Sequence, residues 1–153
     1  MDVTQQKLAV RQRIGIVFQE PALDEQLSAH DNLALMGRFY GLGRRAAKRR
    51  ATATLEALGM GALADRPPEK LSGGQKRKLE LARAIISNPD LLFLDEATLG
   101  LDVDARRNFW ETVAQLVKEG TTVFLTTHYM AEAEIANRIA LIAEGDTDQH
   151  HDL

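Results

Sequence analysis

Leu71-Ser72-Gly73-Gly74-Gln75 and, a short distance on, Leu91-Leu92-Phe93-Leu94-Asp95-Glu96 decide the reading of this chain. Two glycines ahead of a strongly helical run put unobstructed backbone N–H groups at a helix N-terminus, where an anionic phosphate is stabilised. Four apolar residues followed by two carboxylates read as a buried parallel strand that delivers Asp95 and Glu96 to the C-terminal edge of a sheet. Together the two stretches point to a nucleotide and magnesium.

Upstream, residues 14–18 form a short strand candidate ending at Gln19, and Pro21 closes off any continuation. From residue 28 to about residue 87 the pattern is helical. Asp31 is a candidate cap for the first helix, Gly41 and Gly43 break it, and residues 44–58 form a second one. Pro67-Pro68 leads into Leu71, Ser72 caps a third helix through residue 86, and Asn88-Pro89 closes it. Downstream the pattern alternates: strand 91–94, helix 104–119, strand 122–126, helix 130–136 and strand 139–143. That alternation implies right-handed crossovers in an open α/β sheet. Phe109, Val113, Leu116 and Val117 share one face of its first crossover helix, and Gly120 ends that helix.

Composition narrows the class. A chain of 153 residues with 44% apolar content supports one globular core. The formal charge of −3 gives no reason to expect a nucleic-acid partner. There is no cysteine, so disulfides and thiolate metal sites are excluded. The first residues lack the basic and apolar parts of a signal peptide, and no apolar stretch approaches the roughly 20 residues of a membrane-spanning helix. The basic run Arg44, Arg45, Lys48, Arg49 and Arg50 reads as a solvated helix face, with acidic lipid or a partner as the alternative. His30, His150 and His151 lack metal-ligand spacing.

Taken in order, these motifs resemble the ATP-binding cassette (ABC) ATPases, the motor subunits of ABC transporters, from about residue 13 to about residue 143. Gln19 resembles the glutamine loop of that family, residues 71–75 its signature loop, Asp95-Glu96 its Walker B pair, Gly100-Leu101-Asp102 its D-loop, and Thr126-Thr127-His128 its switch histidine. The resemblance implies ATP and Mg²⁺ as ligands. Asp95 and Gln19 are then the metal residues, and Glu96, His128 and Gln19 the catalytic ones. Ser72, Gly73, Gly74, Gln75 and Asp102 contact nucleotide, with the signature loop acting on ATP held by an opposite subunit. Taken singly, Asp95-Glu96 could be an acidic strand end capping a helix, Ser72-Gly73-Gly74 an ordinary capped helix, and Asp102 an N-cap. Ala97 stands where the family usually carries proline.

The fold class expected is α/β, a partial P-loop-type parallel sheet with crossover helices and an inserted all-helical subdomain. The expected division is a sheet segment with the glutamine loop (1–27), a helical subdomain ending in the signature helix (28–88), a parallel α/β core (89–145) and a polar tail (146–153). No glycine is followed by lysine, so a phosphate loop of the Gly-x-x-x-x-Gly-Lys-Ser/Thr type is absent from these residues. The expectation is therefore a piece of the ATPase fold that does not hydrolyse ATP alone. By resemblance the chain is the ATP-binding subunit of an exporter-type transporter. It is peripheral at the cytoplasmic face of the membrane, partnered by a transmembrane permease and a second ATPase subunit. The alternative is a non-hydrolysing module that lends its signature loop to a partner. The related ATPases of chromosome organisation are disfavoured, because they interrupt the fold with long coiled coils and no heptad run occurs here.

Overall fold

The computed structural model describes residues 7–140 and 150–152. Three parallel strands form the central sheet: β1 (Ile14–Val17), β2 (Leu91–Asp95) and β3 (Thr122–Thr126), in the order β1-β2-β3. The register sets Val17 opposite Leu94 and Asp95 opposite Thr126. All three strands therefore end at one edge. Between β1 and β2 the chain makes the helices α2 (Ala29–Phe39), α3 (Arg44–Ala57) and α4 (Gly73–Ile85). Helix α5 (Val103–Lys118) connects β2 to β3, and α6 (Met130–Ala133) follows β3.

Two apolar clusters hold these parts, and α4 belongs to both. Leu79, Ala82 and Ile86 at its end pack with Leu33, Ala51, Leu55 and Met60 of the helical part. Leu81 and Ala84 face Val17, Leu92, Leu94, Phe109 and Val113 between the sheet and α5. At Gly15 a Cβ would meet the carbonyl oxygen of Ala84 at 2.5 Å, so glycine is what lets α4 lie this close to β1. The other side of the sheet is left open among the described residues. Ile16, Phe93 and Phe124 share one register row there, and Ile16 and Phe124 are exposed.

Several details differ from the sequence expectation. Ser28, not Asp31, caps α2: its Oγ accepts from the Asp31 N–H at 3.0 Å, leaving Asp31 in the first turn where a negative charge suits the helix dipole. Helix α1 (Lys7–Gln12) precedes β1, in a stretch for which the sequence pattern predicts no element. Val117 is exposed, because the α5 face toward the sheet centres on Phe109 and Val113. Helix α6 stops at Ala133 rather than 136. Strand β4 (Arg138–Ala140) does not extend the parallel sheet. It pairs antiparallel with β5 (His150–Asp152), within the stretch read as a polar tail. Residues 141–143 of the expected last strand lie outside the described residues.

Candidate nucleotide site

The common strand edge gathers one group of sequence-predicted residues. Gln19 leaves β1 two residues past Val17, Asp95 ends β2 with Glu96 next, and His128 lies two residues past the end of β3. Adjacent strands are about 4.8 Å apart, so these side chains leave neighbouring positions of one edge. Thr126 Oγ1 donates to Asp95 Oδ1 at 2.5 Å, which fixes the carboxylate at the strand end. Glu96 has φ +43°, a left-handed conformation uncommon for a residue with a side chain. Such a conformation costs on the order of 1–3 kcal/mol and is concentrated at functional sites. It is held by the Glu96 N–H, which donates to the Thr126 carbonyl at 3.1 Å. His128 Nδ1 stands 3.5 Å from Glu96 Oε1, and its ring stacks on Tyr129 at 4.4 Å.

A second group lies at the N-terminus of α4. Ser72 Oγ accepts from the Gln75 N–H at 3.2 Å, and Gln75 Oε1 accepts from the Ser72 N–H at 3.0 Å, a reciprocal capping box. Gln75 thus orders the helix start through its side chain. The two glycines differ in kind. A Cβ on Gly74 would lie 2.8 Å from the Cβ of Ala105, whereas a Cβ on Gly73 would meet nothing within 4 Å. Packing inside the chain requires Gly74 but not Gly73. Asp102 caps α5, with Oδ1 accepting from the Ala105 N–H at 2.8 Å. Among the described residues no hydrogen bond or ion pair joins Ser72 or Gly73 to Asp95, Glu96 or His128. The two groups are separate clusters.

Sequence reasoning missed two clusters that brace these loops. Arg77 and Glu80, both buried, tie α4 to the backbone beside Gln19 and Glu96. Glu132, buried at the start of α6, accepts from Thr98 Oγ1, from Trp110 Nε1 at 3.2 Å and from Thr127 Oγ1 at 2.6 Å. Arg106 lies over the Tyr129 ring at 4.4 Å and reaches the Leu101 carbonyl at 3.4 Å. The available signal was charge inside apolar helical runs, at positions where a solvated face was the simpler reading.

The family model for ABC transporters matches residues 1–99. The chain belongs to the ABC transporter family. It is 44% identical over 155 residues to the daunorubicin resistance ATP-binding protein DrrA3 of Streptomyces coeruleorubidus, covering 97% of this chain and 49% of that one. It is also 44% identical to the linearmycin resistance ATP-binding protein LnrL of Bacillus subtilis, covering 89% and 44% of the two chains. The Nod factor export ATP-binding protein I of Burkholderia pseudomallei is 43% identical, with 88% and 45% covered. A solved dimeric ATP-binding cassette in a post-hydrolysis state, bound to ADP and Pi, superposes with a TM-score of 0.82 at 26% identity. That match covers 99% of this ABC-family chain and 68% of the solved one. The mixed α/β architecture with its parallel sheet is therefore that of an ABC ATPase. This ABC-family chain spans about half the length of the curated relatives it matches. No helix among its described residues is long and apolar enough to cross a membrane.

Proposed function

We propose that this chain is the ATP-binding part of an exporter-type ABC transporter, and that its two residue groups serve two different ATP molecules. The observation that carries the reading is Gly73. Among the described residues a Cβ there would meet nothing within 4 Å, and Gly73 opens α4, where backbone N–H groups suit a phosphate supplied from outside the chain. The relatives' names supply the exporter context. A transmembrane permease is the membrane partner, a second ABC ATPase the dimer partner, and the site of action the cytoplasmic face of the membrane.

At the strand edge, Asp95 and the amide oxygen of Gln19 hold magnesium. These hard oxygen donors, few in number, suit an ion that keeps most of its water. When bound, that ion offsets phosphate charge. Glu96 accepts a hydrogen bond from the water that attacks the γ-phosphate. His128, turned so that Nδ1 faces Glu96, presents Nε2 to the phosphate. On the other side, Ser72, Gly73 and Gly74 offer hydroxyl and N–H donors to ATP gripped by the partner, with Gln75 ordering them and Asp102 at the shared interface. The division into a sheet segment (1–27), a helical subdomain (28–88), an α/β core (89–145) and a tail (146–153) follows the same reading.

One observation favours a second reading: no glycine here is followed by lysine, so these residues contain a signature side and no phosphate loop. On that reading the chain complements a partner's site without hydrolysing ATP itself. The test is the ATPase rate of a full-length relative whose own signature loop is disabled, titrated with this chain. The rate rises to a plateau with wild-type chain and stays at baseline with Gly73→Asp. A flat response to both contradicts the nucleotide role.

A further inference from the structure

We propose that Arg77, paired with Glu80, is a positioning residue that locks the loop carrying Gln19 and the turn carrying Glu96 onto the signature helix. The role rests on the ATP-site reading above. Arg77 lies in the second turn of α4, its side chain only 9% exposed. Its Nη1 donates to the Phe18 carbonyl at 2.6 Å, one residue before Gln19. Its Nε donates to the carbonyl of Ala97, one residue after Glu96. The same Nη1 meets Glu80 Oε2 at 2.7 Å, and the other oxygen of Glu80 accepts from the Ala22 N–H at 2.8 Å. Further along the helix, Arg83 donates to the Ala22 carbonyl. One face of one helix therefore grips four backbone groups, at three residues, in two loops that sequence places far apart.

Stability alone does not explain the pair. A buried ion pair is weak evidence for stability, since an apolar pair of similar volume is often as good or better. Arg77 Nη2 is in addition buried with no acceptor among the described residues. An unsatisfied buried donor costs about 1–3 kcal/mol. What the pair supplies is geometry. The fork of a guanidinium holds two carbonyls in fixed relation, which a lysine ammonium on a flexible stem does not. When Gln19 or Glu96 shifts on engaging a ligand, α4 and its Ser72–Gly73 terminus shift with it.

The experiment compares the wild-type chain with Arg77→Met/Glu80→Met, which removes both buried charges together and so keeps the fold. Two quantities are read: amide hydrogen exchange at Ala22, and the plateau of the titration described above. The double variant unfolds at the same or a higher denaturant concentration than wild type. Its Ala22 amide exchanges faster, and, because α4 and its Ser72–Gly73 terminus lose their anchorage to the sheet edge, its plateau falls by about tenfold, the equivalent of one charge-assisted hydrogen bond. Arg77→Lys leaves the plateau low as well. A merely destabilised chain would need a higher concentration to reach the same plateau, so an unchanged plateau overturns the proposal. Unchanged exchange at Ala22 overturns it also. A wild-type chain that never raises the rate removes the ATP-site reading and the positioning role with it, a result distinct from a wild-type rise that the variants share.

Discussion

Gly74 and Ala105 are in such close approach that a single methyl group at residue 74 would fall 2.8 Å from the Ala105 Cβ. The second glycine of the 71–75 loop is thus a helix-packing residue, seating α4 against the first turn of α5. Gly74→Ala is expected to cost about 1–3 kcal/mol, the range for overpacking. Gly73→Ala, with open space around it, is expected to leave stability unchanged or raise it by up to about 1 kcal/mol. Urea unfolding of the two variants measures the difference. Equal midpoints would show that the contact does not exist.

Gly73 is for that reason the cleaner position at which to probe a phosphate. A carboxylate at 74 disturbs the fold of its own chain, and any loss of activity is then ambiguous. One at 73 reaches only outward, and repulsion from the γ-phosphate is its expected effect. Gly73→Asp should unfold at the wild-type urea concentration while failing to complement a partner. A Gly73→Asp chain that complements fully would contradict the phosphate contact.

Glu132 gathers hydroxyls from two loops, Thr98 before α5 and Thr127 beside His128, together with the indole of Trp110. Glu132→Ala strands those donors and leaves Arg106 without its carboxylate, 3.8 Å away. Breaking such a buried cluster costs roughly 3–5 kcal/mol, less here because Arg106 is partly solvated. Trp110 is the single tryptophan, so its emission reports the loss directly. Unchanged emission and stability in Glu132→Ala would remove the cluster from the account.

The open sheet face carries Phe93 and Phe124 with ring centroids 5.5 Å apart, flanked by Ile16 in the same row. β3 is in addition an edge strand of the three-stranded sheet. Exposed apolar faces and unpaired strand edges drive association. The chain by itself is expected to self-associate, and Phe124→Lys to shift it toward monomer in analytical ultracentrifugation. A soluble, cooperatively folding wild-type monomer would contradict this.

On its own the chain is expected to bind ATP weakly and turn it over at background rate, because the backbone cradle and lysine that grip the β- and γ-phosphates are not among its residues. Micromolar affinity, with magnesium-dependent turnover that vanishes in Glu96→Gln, would contradict that expectation.

Much of the fold was legible because its signals are local. The apolar run at 91–94 with its two acids, the Ser72 cap and the turn at Gly120 each act within a few residues, and the observed elements begin and end there. What was hidden depends on long-range partners. Ser28 and Asp31 are both acceptable caps by type, and only the chain's entry direction selects Ser28. The pairing of β4 with residues 150–152 instead of the parallel sheet lies in no short window. Arg77 and Glu80 resemble any i, i+3 surface pair. Their burial follows from α4 being packed on two sides, by Leu79 and Ala82 toward the helices and by Leu81 and Ala84 toward the sheet. The gathering of Gln19, Asp95, Glu96 and His128 at one strand edge follows from the strand order that the sequence suggests. The separation of Ser72–Gly73 from Glu96–His128, and the different demands on Gly73 and Gly74, depend on how α4 meets α5, which no short window of sequence carries.

The central claim is that this chain carries the signature side of an ATP site completed by another subunit. Sedimentation of the chain with a full-length relative, whose Walker B glutamate is replaced by glutamine to keep ATP intact, tests it most directly. A one-to-one complex should form with ATP and magnesium, dissociate when ATP is replaced by ADP, and be absent with Gly73→Asp at any nucleotide. A complex that forms equally with wild type and Gly73→Asp, or without regard to ATP, would contradict the account.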